Sequence, residues 1–213
     1  YLTHDALNAI FQATYRMDED KGTDYHQRFL NYLHKVQDED LTLGVAMTDG
    51  KGDRSLRPHK QINVDSYVHV KERREDGIVL RGAKAIITGA PYMHEYQVMP
   101  CRNMIEADKD FAICCAVPID ADGITIVSRP AGRPGEADAK FSAKSGQTTG
   151  GAIFDDVFVP WDRVFMDGEW EHSQFLISTY ATHHRHSCIG ARAGFGDLLL
   201  SLIHISEPTR LLS

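Results

Sequence analysis

The spacing of apolar residues changes twice along this chain, and that pattern bounds the folds open to it. Between Asp5 and Tyr15, Leu7, Ile10, Phe11 and Thr14 fall at i, i+3, i+4 and i+7, one face of a helix. After Gly22, Tyr25, Phe29, Tyr32, Leu33 and Val36 form a second stripe, with Thr23 as the expected N-cap. From about Leu41 the period drops towards two. Strands are expected at Leu43–Thr48, Ser66–Glu72, Ile78–Ile87, Tyr96–Met99, Phe111–Ile119, Ile124–Ser128 and Ile153–Pro160, with Asp76-Gly77 and Asp122-Gly123 as turns. Seven short strands without long helices between them predict an antiparallel barrel or sandwich. Ala131–Gly151, rich in Gly, Ser, Thr and Lys, reads as a long surface loop. Beyond Trp161 a helical period returns, with Phe175, Leu176, Thr179, Tyr180 and His183 on one face. Gly190, Gly194 and Gly196 further on permit close approach of a helix or a ligand.

Composition excludes several classes. Apolar residues make up 42% and charged residues 25% of the 213, ordinary for a folded domain. The net charge of −7 argues against a nucleic-acid or anionic-membrane partner. No apolar run of about 18 residues or secretory leader is visible, so a cytoplasmic location is expected. The four cysteines, 101, 114, 115 and 188, have neither zinc nor disulfide spacing and read as reduced thiols. No initiator Met is present, so a fragment of a longer protein is expected. Residues 201–213, broken by Pro208, resemble translated sequencing-adapter read-through and are set aside as a non-native tail.

Four segments carry a family resemblance. Phe154-Asp155-Asp156-Val157-Phe158-Val159-Pro160-Trp161-Asp162-Arg163-Val164 resembles the exit of the β-domain in acyl-CoA dehydrogenase-like flavoproteins. Ala46–Arg54, Arg73–Lys84 with Thr88-Gly89, and His184–Ser187 with Gly194–Asp197 resemble one branch of them, the 4-hydroxyphenylacetate 3-monooxygenases and 4-hydroxybutyryl-CoA dehydratases. The resemblance runs from about Asp5 to Leu200. It implies an α+β fold. Residues 1–40 would end an N-terminal helical domain, 41–166 would form an antiparallel β-barrel domain, and 167–200 would begin a C-terminal helical bundle. It also implies bound FAD, in oxidised or reduced form, a small-molecule substrate and a homo-oligomer, a tetramer or dimer of dimers.

The resemblance implies site residues unevenly. Met47, Thr48, Asp49, Lys51, Gly52, Asp53 and Arg54 match the flavin-contacting stretch. There glycines let backbone N–H groups approach a pyrophosphate, and Lys51 and Arg54 add charge. Thr88 and Gly89 match the segment along the isoalloxazine ring. His184 matches a histidine that in the dehydratases ligates a 4Fe–4S cluster with three cysteines. Here the cysteine expected seven residues later is Ala191, and Tyr1 stands at another cysteine position, so the resemblance argues against that cluster and implies no metal. Cys188, one turn from His184, shares its helical face. The dehydratase glutamate is replaced by Thr149 and its lysine by Arg192, which keeps charge without shuttling a proton.

These departures favour a reduced-flavin-dependent, monooxygenase-like oxidoreductase acting on a phenol or small acid. Tyr1, His184 and Arg192 would be its catalytic candidates, and a separate reductase would supply the flavin. Asp49 stands where the monooxygenases carry a histidine. Two alternatives remain: a dehydratase/vinylacetyl-CoA isomerase paralogue, and a non-catalytic flavin-binding subunit.

Overall fold

The computed structural model describes residues 2–130 and 146–206. Two helices come first, α1 (Leu2–Lys21) and α2 (Tyr25–Asp38). Eight strands follow: β1 (Leu43–Ala46), β2 (His69–Arg73), β3 (Gly77–Thr88), β4 (Glu95–Val98), β5 (Ile113–Pro118), β6 (Ile124–Arg129), β7 (Thr149–Pro160) and β8 (Val164–Asp167). A 37-residue helix, α3 (Trp170–Ser206), ends the described chain.

The helix between Asp5 and Tyr15 extends further in both directions. The junction to α2 is built differently from expectation. Asp18, not Thr23, caps α2: its two carboxylate oxygens accept the backbone N–H groups of Tyr25 and His26 at 2.9 Å each. Thr23 instead donates its hydroxyl to Asp18 at 2.6 Å. A carboxylate at that end also meets the positive pole of the helix dipole.

The strands form two open four-stranded sheets, not the expected closed barrel. Sheet one has the order β1-β4-β5-β8, sheet two β2-β3-β7-β6. Sheet two is antiparallel throughout, whereas β1 pairs with β4 in parallel. Each sheet keeps two edge strands, and among the described residues no ladder joins one sheet to the other. β8 is a strand where the sequence suggested a return to helix. Its four residues are too few to show a period, and β5 recruits them as a partner. Of the expected loop 131–151, Thr149–Gly151 belong to β7, and 131–145 lie outside the described residues.

Alternation along β5 divides the core. Cys114 and Ala116 face the helices, where they join Phe29, Tyr32 and Phe165. Ile113, Cys115 and Val117 face sheet two with Leu80, Phe154 and Val157. Adjacent cysteines thus point into different layers, and all four cysteines are free thiols. Burial pushes the Cys115 thiol up to about 12.

α3 runs back along α1. Lys21 pairs with Glu171 at 3.0 Å, the Gln12 amide meets His183 at 3.0 Å, and Ser187 donates to Asp5 at 2.7 Å. Leu176 and Tyr180 are buried beneath it. The far half presents Ile189, Phe195 and Leu198 to solvent, and Gly190, Gly194 and Gly196 have open space around them. No described helix is long and apolar enough to cross a membrane.

Candidate functional site

The open edge of sheet one, the end of β3 and the flank of α3 enclose a cavity of about 630 Å³. Leu43, Gly44, Val45, Met47 and Thr48 form one wall. Ile86, Thr88, Met93 and Gln147 form a second, and Tyr180, His184, Ser187, Cys188 and Ala191 a third, with Thr3 of α1 closing one end. The Thr3 hydroxyl donates to the Leu43 carbonyl at 2.9 Å, tying α1 to the edge strand.

Of the two segments predicted to contact a flavin, Met47 and Thr48 from one and Thr88 from the other line this cavity. Past β1 the chain crosses from sheet one to sheet two, where the Ala85 N–H donates to the Thr48 carbonyl at 2.7 Å. Thr88, four residues along β3 from Lys84, pairs with Thr149 of β7. Gly89 adopts φ +73° and a Cβ there would lie 2.3 Å from the Met93 side chain. Gly89 therefore turns the chain so that Met93 returns over the cavity.

Asp49 takes a different place. It is buried behind the wall, with one carboxylate oxygen 2.7 Å from the Lys84 ammonium and accepting the Val68 N–H at 3.1 Å. Lys84 also donates to the carbonyls of Met47 at 3.1 Å and Met99 at 2.7 Å. The pair clamps the crossover whose side chains line the cavity.

Lys51, Gly52, Asp53 and Arg54 do not line this cavity; they form a turn braced from within. Lys51 adopts φ +68° and Gly52 φ +45°, and a Cβ on Gly52 would lie 2.4 Å from the Gln61 amide oxygen. That oxygen accepts the Asp53 N–H at 3.0 Å, and the Gln61 amide nitrogen donates to the Asp53 carbonyl at 2.8 Å. The Asp53 carboxylate accepts from Ser55, which lowers its pKa.

On the α3 wall, His184 stacks on Tyr180 with ring centroids 5.8 Å apart and planes 8° from parallel. The buried Asp5 carboxylate lies 3.3 Å from His184 Nδ1 and accepts the Ser187 hydroxyl. Cys188 Sγ is 3.6 Å from His184 Nε2. Burial, and secondarily the Asp5 charge, raise the Tyr180 pKa. An imidazole held by a buried carboxylate beside a hydroxyl and a thiol can accept or give a proton at a cavity wall. Arg192 is exposed on α3 and does not line the cavity, and Tyr1 lies outside the described residues. Sequence reasoning missed Asp5, Met93, Gln147 and Tyr180. Asp5 read only as part of a helix, 179 positions from the histidine it holds.

Comparison with known proteins identifies relatives of the chain as a whole. Residues 1–166 match the family model described as 4-hydroxyphenylacetate 3-hydroxylase N terminal. A 4-hydroxybutyryl-CoA dehydratase/vinylacetyl-CoA-Δ-isomerase from Clostridium aminobutyricum is 40% identical over 92% of this chain and 41% of its own. The oxygenase component of a 4-hydroxyphenylacetate 3-monooxygenase from Thermus thermophilus is 28% identical over 93% of the chain and 42% of its own. The chain thus spans about two fifths of the length of these relatives. Among solved structures, an oxygen-tolerant 4-hydroxybutyryl-CoA dehydratase from N. maritimus superposes with a TM-score of 0.86 at 39% identity, covering 94% of this chain and 41% of that one. A 4-hydroxyphenylacetate 3-monooxygenase oxygenase component solved with FAD gives 0.67 at 30% identity, over 84% of this chain and 36% of that one. A glutaryl-coenzyme A dehydrogenase at 16% identity and a TM-score of 0.50, covering 74% and 35%, shares the fold alone. The chain belongs to the 4-hydroxyphenylacetate 3-hydroxylase family, and 4-hydroxyphenylacetate 3-monooxygenases and 4-hydroxybutyryl-CoA dehydratases are its relatives.

Proposed function

We propose that this chain is the cavity-bearing part of an FAD-dependent enzyme of the dehydratase branch, acting on a short acyl-CoA thioester. One observation carries the choice of branch: identity of 40% and 39% to two dehydratases, against 28% and 30% to two monooxygenases. It moves the balance away from the phenol-oxidising activity that the substituted positions suggested.

The cavity suits a flavin. Its volume falls within the range of cofactor sites, and Leu43, Val45, Met47 and Met93 offer apolar surface while Thr48, Thr88 and Gln147 supply hydroxyl and amide groups. Thr48, Thr88, Met47 and Met93 are the residues to hold it. Bound FAD would supply electron transfer at the substrate carbon skeleton. The protein's part is to exclude water with the methionine and leucine walls, and to move a proton. Loss of water from a hydroxyacyl thioester requires a base for a carbon-bound proton. His184, braced by Asp5 and stacked on Tyr180, is the proton-accepting group proposed on this wall. A 4Fe–4S cluster does not fit the donors described here. His184 and Cys188 are one helical turn apart, Ala191 puts a methyl group where a further thiolate is expected, and no group of three ligating side chains occurs among the described residues. A small-molecule substrate and self-association belong to the same proposal.

The monooxygenase reading keeps one specific support, the replacement of dehydratase residues by Ala191 and Thr149. A separate reductase would belong to that case. The two are separated by assaying the intact protein for flavin and iron, for water loss from 4-hydroxybutyryl-CoA, and for phenol hydroxylation with reduced flavin. Thioester turnover that falls at least 100-fold in His184→Ala is the expected result. Phenol hydroxylation without thioester turnover overturns the proposal.

A further inference from the structure

Taking a proton from carbon, the task proposed for His184, is one half of a step. The C–H electron pair left behind moves towards the oxygen of the neighbouring carbonyl, and an oxygen gaining charge inside an apolar cavity needs a hydrogen-bond donor. The donors on the His184 side of the cavity can be taken one by one. Ser187 gives its hydroxyl proton to Asp5 at 2.7 Å, and Thr3 gives its own to the Leu43 carbonyl at 2.9 Å. Cys188 lies 3.6 Å from His184 Nε2, and a thiol is a weak donor. Tyr180 remains.

Tyr180 is 9% exposed and borders the cavity, and its hydroxyl has no hydrogen-bond partner among the described residues. A hydroxyl so far removed from water is unfavourable unless a ligand completes it. The ring itself is fixed. It packs in the core layer that holds Ala9, Ile10 and Leu176, and it lies parallel to the His184 ring, one helical turn further along α3. Donor and base therefore come to a ligand from one stretch of one helix. Burial, and after it the Asp5 charge, push the Tyr180 pKa above 10.0, so the hydroxyl keeps its proton at neutral pH. Thr48 and Thr88, assigned above to the flavin, stand on the two other walls.

We propose that Tyr180 is a second catalytic residue on this wall, its hydroxyl donating a hydrogen bond to the carbonyl oxygen of the acyl thioester while His184 takes the proton from the adjacent carbon. In that step the C–H bond breaks and its electron pair forms the carbon–carbon double bond of an enolate. The carbonyl π pair moves onto oxygen, the proton passes to His184, and Tyr180 keeps its own. The inference rests on the acyl-CoA reading of the cavity and adds to it the group that binds the thioester oxygen.

The test compares the intact protein with its Tyr180→Phe variant, which keeps the ring, its stacking on His184 and its volume. The variant should match the parent in melting temperature and flavin content. Its kcat for water loss from 4-hydroxybutyryl-CoA should be about 100-fold lower, with KM little changed, because the hydrogen bond strengthens as charge develops on the oxygen. Butyryl-CoA, which has no hydroxyl to lose, gives a readout without turnover. With its carbonyl carbon isotope-labelled, the infrared carbonyl stretch of the bound thioester should lie at higher frequency in Tyr180→Phe than in the parent, a change that a purely structural role does not produce. Thioester turnover in the parent that Tyr180→Phe leaves unaltered overturns this inference and leaves the acyl-CoA reading standing. A fall in kcat matched by a fall in flavin content, with the carbonyl band unmoved, also overturns it, since the hydroxyl would then serve the fold. No thioester turnover in the parent overturns both.

Discussion

Replacing Lys84 with Met tests how the cavity wall is held. The Lys84 and Asp49 side chains are 1% and 2% exposed and 2.7 Å apart. Met fills most of the space of the lysine stem, so lost packing is small. What changes is electrostatic: the Asp49 carboxylate stays buried without its cation, and the Met47 and Met99 carbonyls each lose a donor. Removing one partner of a buried ion pair costs about 3–5 kcal/mol. At about 4 kcal/mol the folded-to-unfolded ratio falls roughly a thousandfold. Urea unfolding of the parent, Lys84→Met, and the double variant Asp49→Asn with Lys84→Met would measure it. The double variant removes the stranded charge, so it should be more stable than Lys84→Met alone, although it carries one more substitution. The single variant should also hold FAD more weakly, since Met47 and Thr48 sit on the segment the ammonium clamps. A single variant within 1 kcal/mol of the parent, or a double variant less stable than the single, would refute this account of the clamp.

Three further outcomes follow from other contacts. Asp18→Ala removes the carboxylate that accepts the Tyr25 and His26 N–H groups, and should cost about 1–2 kcal/mol by thermal or chemical denaturation. Asp5→Ala leaves the Ser187 hydroxyl and the His184 ring unbraced. It should lower thioester turnover more than flavin content, measured on the same preparation. Burial raises the Cys115 thiol from 9.0 to about 12, so the native state holds a proton that the unfolded chain gives up earlier. Stability from this group is complete below pH 9 and declines as pH rises from 9 towards 12, by at most about 1.4 kcal/mol per pH unit. Unfolding measured across that range should show a shallower decline in Cys115→Ala.

The helices and most strands were legible because their signal is local. The stripe Tyr25, Phe29, Tyr32 and Val36 buries one face of α2, and the alternation in β5 sends Cys114 and Cys115 to opposite layers. What was not legible depends on partners distant in sequence. β8 exists because β5 offers a free side, and whether two sheets close into a barrel depends on edges that no single strand encodes. The Asp18 cap was missed because Thr23 has the better local signature, while Asp18 reaches α2 from the last turn of α1.

The candidate site shows the same division. Its motif residues separate into roles that a linear pattern cannot distinguish: Met47, Thr48, Thr88 and His184 line the cavity, Asp49 anchors its wall from behind, and Lys51–Arg54 form a braced turn beside it. The Gly-Lys-Gly-Asp-Arg segment is shaped from within by the Gln61 amide, a partner eight residues away from Asp53 that the charge pattern does not reveal. The titratable groups on the cavity wall come from α3, where Asp5 reaches across from α1 to hold His184. A carboxylate, an imidazole and a thiol are thus brought to one wall by two antiparallel helices from positions 179 residues apart, a juxtaposition no linear pattern announces.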